Sequence, residues 1–190
     1  MCDGAMGTIL YARGVFVNRS FDALKVSQPD LVEEINRAYR KAGAEVLETN
    51  TFGVNRFKLE AFGLGDKLLE VNLEGVRLAR RAAGEQAYVA GVLGPRGPRM
   101  APHGQTTARE AEAYFREQTL ALSTGGVDFF VLETFHSVEE ICAAIRVVRA
   151  VSELPVLAQM TTDESGNVPD SVRPEVFSPR LVEEGATMVG

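Results

Sequence analysis

The chain has 190 residues, 45% of them hydrophobic and 24% charged, which suits one globular domain with a real core. Its net charge of −6, with dispersed basic residues, excludes a nucleic-acid-binding surface built on a basic patch. No apolar run approaches the roughly 18 residues of a membrane span, and Met1-Cys2-Asp3-Gly4 has neither a basic nor an apolar leader, so the expected compartment is cytoplasmic.

Strand and helix signals alternate along the chain. Cys2 reads as the last residue of a clipped first strand. A helix is predicted from Pro29 to Ala42, with Leu31, Ile35, Ala38 and Ala42 on one face and Gly43 as its stop. Ala44 to Asn50 reads as a strand. Asp66 to Ala83 reads as a second helix, with Leu69, Leu73, Val76 and Ala79 inward and cationic Arg77, Arg80 and Arg81 near its C-terminal end. A strand over Ala87 to Leu93 is broken by Gly94-Pro95. Thr107-Ala108-Arg109-Glu110 has the form of a capping box opening a third helix that stops at Gly125-Gly126. Val127 to Glu133 is almost continuously apolar, as a parallel strand buried on both faces should be. Ser137-Val138-Glu139-Glu140 reads as a second capping box, and Ile141, Ile145 and Val148 mark the inward face of the fourth helix. Pro155 to Met160 is a strand. Pro174 to Glu184 is a helix that Pro179 should interrupt, or restart with Ser178 as N-cap. Thr187 to Gly190 opens one more strand.

Each predicted strand ends in polar or glycine-rich residues: Asp3-Gly4-Ala5-Met6-Gly7, Glu48-Thr49-Asn50-Thr51-Phe52-Gly53, Gly94-Pro95, Glu133-Thr134-Phe135 and Thr161-Thr162-Asp163. A (β/α) barrel carries its chemistry at that end of its strands. No Gly-x-Gly-x-x-Gly turn follows any strand, which argues against an open dinucleotide-binding sheet. The fold class is therefore α/β, a partial (β/α)8 TIM barrel of about six strands with the first clipped. The chain is shorter than the roughly 250 residues of a typical barrel, so it reads as truncated.

The glycines at 4 and 7 let backbone amides approach an anionic group, although a plain turn explains them equally well. Glu48, Thr49, Asn50 and Thr51 place a carboxylate, an amide and two hydroxyls at one buried strand end, where polar groups must bond to each other or to a ligand. Glu133 repeats the theme. His103 and His136 flank loops or caps, where solvated histidine is the simpler reading. Gly104-Gln105-Thr106-Thr107 precedes a helix without forming a P-loop. Cys142 falls inside a helix as a buried thiol, and the spacing of the two cysteines suits neither a disulfide nor a metal.

Asp-Gly-Ala-Met-Gly-Thr at 3–8, Glu-Thr-Asn-Thr-Phe-Gly at 48–53, Asn55-Arg56-Phe57-Lys58-Leu59 and Glu133-Thr134-Phe135 resemble the homocysteine S-methyltransferase family. The likeness is nearest to the homocysteine-binding module of cobalamin-dependent methionine synthase or its fusion with methylenetetrahydrofolate reductase. It spans essentially the whole chain. The resemblance implies a TIM barrel that methylates the sulfur of homocysteine, on zinc held by three cysteine thiolates. The methyl would come from methylcobalamin or methyltetrahydrofolate on another module. It further implies Glu133, then Asp3, as partners of the substrate ammonium, and the Gly4-Ala5-Met6 backbone as donors to its carboxylate. Asn50 and Thr51 would orient the amino-acid end or brace the wall around it.

The family's zinc cysteines lie after the sixth strand and near the eighth, so they are expected beyond Gly190, and neither Cys2 nor Cys142 matches one. Asp170-Ser171-Val172 also departs from the family's Gly-Thr or Gly-Ser step. Residues 1–190 are thus expected to form the N-terminal part of a homocysteine-binding barrel, inactive alone. The rival readings are a non-catalytic remnant that keeps the amino-acid-binding loops, and an unrelated barrel lyase.

Overall fold

The structure, a computed structural model, describes residues 1–15, 21, 23–98, 100, 104, 106–169 and 172–190. His103, Gln105 and the Asp170-Ser171 step therefore lie outside the described residues. Five parallel strands form one sheet: β1 (Val46–Glu48), β2 (Tyr88–Leu93), β3 (Phe129–Phe135), β4 (Val156–Met160) and β5 (Met188–Val189). They lie side by side in chain order, β1-β2-β3-β4-β5. A doubly wound sheet would reverse its order at a switch point, and this one does not. Outside β1, Cys2 makes an isolated parallel bridge to Val46, and the Asp3 N–H donates to the Val46 carbonyl at 3.0 Å, so the first residues sit where a further strand would pair.

The helices are α1 (Met6–Ala12), α2 (Leu24–Ser27), α3 (Pro29–Lys41), α4 (Arg56–Glu60), α5 (Leu68–Ala83), α6 (Ala108–Gly125), α7 (Val138–Val151) and α8 (Pro174–Glu183), with a 3-10 turn at Gly65–Lys67. α3 packs on α5, α5 on α6, α6 on α7 and α7 on α8, so helix order follows strand order, as in one arc of a barrel. Strand alternation then divides the core in two. Leu47, Val89, Leu93, Phe130 and Leu132 point outward into the main core, where they meet Phe115, Ile141, Ile145 and Val148 from the helices. Burying one such side chain contributes about 1.5–3 kcal/mol. Ala90, Val92 and Val131 form the inner layer with half-buried Val46, Phe129 and Leu157. No helix among the described residues is long and apolar enough to cross a membrane.

Several sequence expectations need correction. On α3 the buried residues are Val32, Ile35 and Asn36, whereas Ala38 and Ala42 are exposed. On α5, Val76 and Ala79 are buried as expected and Leu73 is half-buried, but at the first turn Leu68 and Val71 turn inward and Leu69 is 55% exposed. Small alanines at 38 and 42 carry little phase information, and Leu68 and Leu69 compete for the same face. Pro179 neither stops nor restarts α8, which runs through it and forgoes one i→i−4 hydrogen bond. At α6 the capping box is complete, with Thr107 Oγ1 accepting from the Glu110 N–H while the Glu110 carboxylate accepts from the Thr107 N–H. At α7 only half of it forms. Ser137 caps Glu140, but the Glu140 carboxylate accepts from the Arg96 N–H instead, at 2.8 Å. α1, α2 and α4 were not anticipated, and α1 takes Met6 and Gly7 out of the first loop and into a helix.

Candidate functional site

Period-two alternation decides which side chains reach the inside of the sheet. Val46 and Glu48 of β1, Ala90 and Val92 of β2, Phe129, Val131 and Glu133 of β3, and Leu157 and Gln159 of β4 share that face. Their apolar members come first along each strand, and the polar ones stand last. An open-mouthed cavity of about 570 Å³ lies at this polar end, lined by Asp3, Gly4, Ala5, Met6, Gly7, Phe21, Glu48, Thr49, Asn50, Phe52, Val92, Glu133 and Gln159.

Of the residues singled out from the sequence, Asp3, Gly4, Ala5, Met6, Asn50 and Glu133 line this cavity together. Thr51 does not. It is fully buried behind the wall, where its hydroxyl donates to the Val92 carbonyl at 2.8 Å. That fixes the rest of the proton order. The Val92 N–H donates to Thr49 Oγ1 at 3.0 Å, so the Thr49 hydroxyl donates onward to Thr51 Oγ1 at 2.6 Å. Gln118 Nε2 on α6 adds a bond to the Thr51 carbonyl at 2.7 Å. The end of β1 is thus held by a closed ring of hydrogen bonds. Lys25, fully buried on α2, bonds the Asn50 carbonyl, and Asn50 Nδ2 donates to the Phe21 carbonyl at 3.2 Å. Phe52 lies flat on Gly94, where an added Cβ would stand 2.4 Å from the ring, so glycine is required there.

Glu133 is placed differently. Between Leu132, paired with Ala158, and Phe135, paired with Met160, three steps along β3 face two along β4. The extra residue is a bulge. Within it Thr134 has φ 62°, the left-handed region that a β-branched residue avoids. Glu133 faces the cavity in phase with Val131, and the kink just after it lets Phe135 return to the core, fully buried.

Three carboxyl groups therefore share one cavity. Burial raises all three above the ordinary carboxylate range. Asp3 rises to about 6, mainly by burial; two contacts from the Glu48 N–H, at 3.1 and 3.2 Å, oppose the rise, and the Glu133 charge adds to it. Glu48 rises to about 8, first by burial and then by the charges of Glu133 and Asp3. Glu133 rises through burial. Among the described residues, no Lys, Arg or His lines the cavity. The wall is built to receive a cation of its own size, and it repels anions except where neutral donors meet them.

Sequence reasoning missed Glu48, Phe21, Phe52 and Gln159 as cavity residues. For Glu48 and Gln159 the signal was present, since both are in phase with inward neighbours two residues earlier. The remaining candidates fall away. His136 is exposed, and Cys142 is fully buried in α7 with its thiol pushed up to about 11 by burial, which leaves it inert. Cys2 is exposed and sits beside Asp3, not in the cavity lining.

The model of the family described as homocysteine S-methyltransferase matches residues 1–190. The chain belongs to the homocysteine S-methyltransferase family. Methionine synthase of Mycobacterium tuberculosis is 32% identical over 183 residues, 87% of this chain and 15% of that protein. Methionine synthase of Mycobacterium leprae is 31% identical over the same shares. The chain thus spans well under a quarter of the length of these relatives. Among solved structures, the metallated homocysteine methyltransferase MmuM from Escherichia coli superposes with a TM-score of 0.87 at 25% identity, over all of this chain and 72% of that one. The partial α/β barrel is accordingly the architecture of the homocysteine S-methyltransferase family.

Proposed function

We propose that this chain is the N-terminal part of a homocysteine-binding barrel, and that the protein it serves transfers a methyl group to the homocysteine sulfur to give methionine. The observation that carries this is the cavity that the described residues line with three carboxyl groups and no basic side chain, in a chain matched along its whole length by the family. Homocysteine is a zwitterion with a two-carbon thiol arm. Its ammonium is taken by Glu133 and Asp3, each a charge-assisted hydrogen bond. The backbone amides of Gly4, Ala5 and Met6, at the approach to α1, are donors for its carboxylate. Asn50 orients the amino-acid end, and Thr51 braces the wall from behind. Phe21, Phe52 and Met6 provide the apolar surface for the methylenes.

Zinc does not fit the residues present. Among the described residues no group of three or more His, Cys, Asp or Glu could hold a metal ion, and Cys2 and Cys142 lie on opposite terms, one exposed and one buried in a helix. The zinc of the parent protein is assigned to cysteines outside these residues, and the methyl donor, methylcobalamin or methyltetrahydrofolate, to another module. The compartment is assigned as cytoplasmic.

Titration calorimetry of the chain with homocysteine, beside a methyl-transfer assay with either donor, tests the reading. Saturable binding of homocysteine without turnover is the expected result, and addition of the chain's natural metal-bearing remainder should restore turnover. Failure to bind homocysteine overturns the reading. Binding without turnover in the complete protein points instead to a non-catalytic amino-acid-binding module.

A further inference from the structure

Resting on that reading, one group of the cavity remains without a task. A single α-amino acid brings one ammonium, yet three carboxyl groups line the wall. They differ in what they touch. Asp3 accepts from the Glu48 N–H at 3.1 and 3.2 Å, contacts that favour its ionised form. Glu133 faces the cavity in phase with Val131, just before the kink in β3. The Glu48 carboxyl accepts no hydrogen bond among the described residues, and its own backbone N–H is spent on its neighbour. Carboxylates that share one poorly solvated site cannot all ionise, and the proton stays on the member with least support. That member is Glu48. Among the described residues, the wall offers no cation to the substrate's other charged end, its carboxylate.

We propose that Glu48 works as the neutral acid and donates a hydrogen bond to the substrate carboxylate, so that it selects for an α-amino acid over a simple amine. A carboxyl group kept protonated at neutral pH so that it can donate is an established device of enzyme sites. The rise of Glu48 to about 8 agrees with it. The charged and titratable groups around Glu48 are Asp3 and Cys2 from the first residues, Glu133 from β3, Tyr39 from α3 by way of Asp3, and Lys25 from α2 by way of Asn50. On β2, the facing residues Ala90 and Val92 carry no charge. The net environment is anionic, which keeps the proton in place.

The test compares homocysteine with 3-aminopropane-1-thiol, its decarboxylated form, by calorimetry on the full chain between pH 6.5 and 9. Glu48→Ala should weaken homocysteine by about tenfold and leave the amine unchanged, the loss expected of one hydrogen bond to a charged group. Glu48→Gln, which keeps a donor but cannot ionise, should restore most of the affinity. The ratio of wild-type to Glu48→Gln affinity for homocysteine should fall as pH rises through 8, because ionisation removes the wild-type donor and adds a repelling charge. This ratio cancels the ligand's own titration. If Glu48→Gln and Glu48→Ala weaken both ligands alike, and the ratio rises with pH, Glu48 is a third ammonium partner and the inference fails while the functional reading stands. If wild type binds neither ligand, the functional reading fails and takes the inference with it.

Discussion

The dipeptide Glu-Thr occurs at two strand ends of this cavity, Glu48-Thr49 after β1 and Glu133-Thr134 in β3, and the two copies are built in opposite ways. Thr49 is 2% exposed and closes a ring of hydroxyl and amide bonds with Thr51 and Val92. Thr134 is exposed, its hydroxyl makes no hydrogen bond among the described residues, and it sits at φ 62° in a bulge. The first end gains rigidity from satisfied polar groups. The second gains direction from backbone strain held by its neighbours, since Phe135 beyond it is anchored in the core. The same two letters therefore present one carboxyl kept neutral and one free to meet a cation. Local context, not residue type, assigns the role.

The sharpest way to break that contrast is to neutralise each carboxyl in turn. Glu133→Gln removes the charge proposed to meet the substrate ammonium and should weaken homocysteine about tenfold to a hundredfold, or roughly 1.5–3 kcal/mol. Glu48→Gln should cost far less. Calorimetry at pH 7 decides it, and equal losses at the two sites would show that both ends do the same job.

A smaller effect is expected behind the wall. Thr51→Val keeps the shape of the side chain but leaves the Val92 carbonyl only a long 3.4 Å contact from Gln118 Nε2 and strands the Thr49 hydroxyl in a dry site, which should cost on the order of 2 kcal/mol. The midpoint of urea unfolding would report it. Homocysteine affinity should fall only as far as the end of β1 loosens. A stability unchanged by the substitution would mean that the ring of bonds does not hold that end.

How much of this was readable in advance follows the same division. The capping box at Thr107, the run of alternating strands and helices, and the polar strand ends are local patterns, and each was legible. Glu133 and Asp3 could be named because a lone acid at the end of an apolar strand stands out. Glu48 was not named as a site residue because its neighbours Thr49, Asn50 and Thr51 are polar too; its phase with Val46 was readable, and its pairing with Ala90 fixes the inward face. The bulge at Thr134 left no mark in the letters. It arises from the register between β3 and β4, a non-local property, and it extended the strand to Phe135 where Glu133 had looked like the end.

The carboxyl cluster also makes stability depend on pH. Asp3 and Glu48 have folded-state values raised to about 6 and about 8, above their unfolded values. Such groups contribute stability that is fully present below the unfolded value and lost as pH rises through the folded one. The ligand-free chain should therefore lose stability between about pH 4 and pH 8, with Asp3 and Glu48 both contributing below about pH 6 and Glu48 alone above it. The slope should be on the order of 1 kcal/mol per pH unit or less, because both groups keep some contact with solvent. Glu48→Gln should flatten the profile between pH 6 and 8 and reduce, without abolishing, the slope below pH 6 that Asp3 still carries. Urea midpoints across that range would show it, and a flat wild-type profile would remove the argument that these carboxyls are crowded.

The smallest effect separates strain from support most directly, because the same substitution should have opposite signs at the two ends. Thr134→Gly relieves a left-handed backbone that costs a β-branched residue about 1–3 kcal/mol, and gives back roughly 0.5–1 kcal/mol in the greater freedom of the unfolded glycine. The net is a gain between about zero and 2.5 kcal/mol in stability, centred near 1 kcal/mol. Thr49→Gly has no strain to relieve and breaks the ring around Thr51, so it should destabilise. Binding provides the second readout. With the strained residue gone, the bulge is no longer confined to one backbone geometry, and Glu133 should be aimed less narrowly at the cavity. Thr134→Gly is thus expected to be more stable yet a several-fold weaker binder of homocysteine, the trade common where strain serves a site. If Thr134→Gly instead destabilises the chain and leaves binding unchanged, the φ of Thr134 is an incidental feature of the bulge, and Glu133 owes its direction to the packing of Phe135 alone.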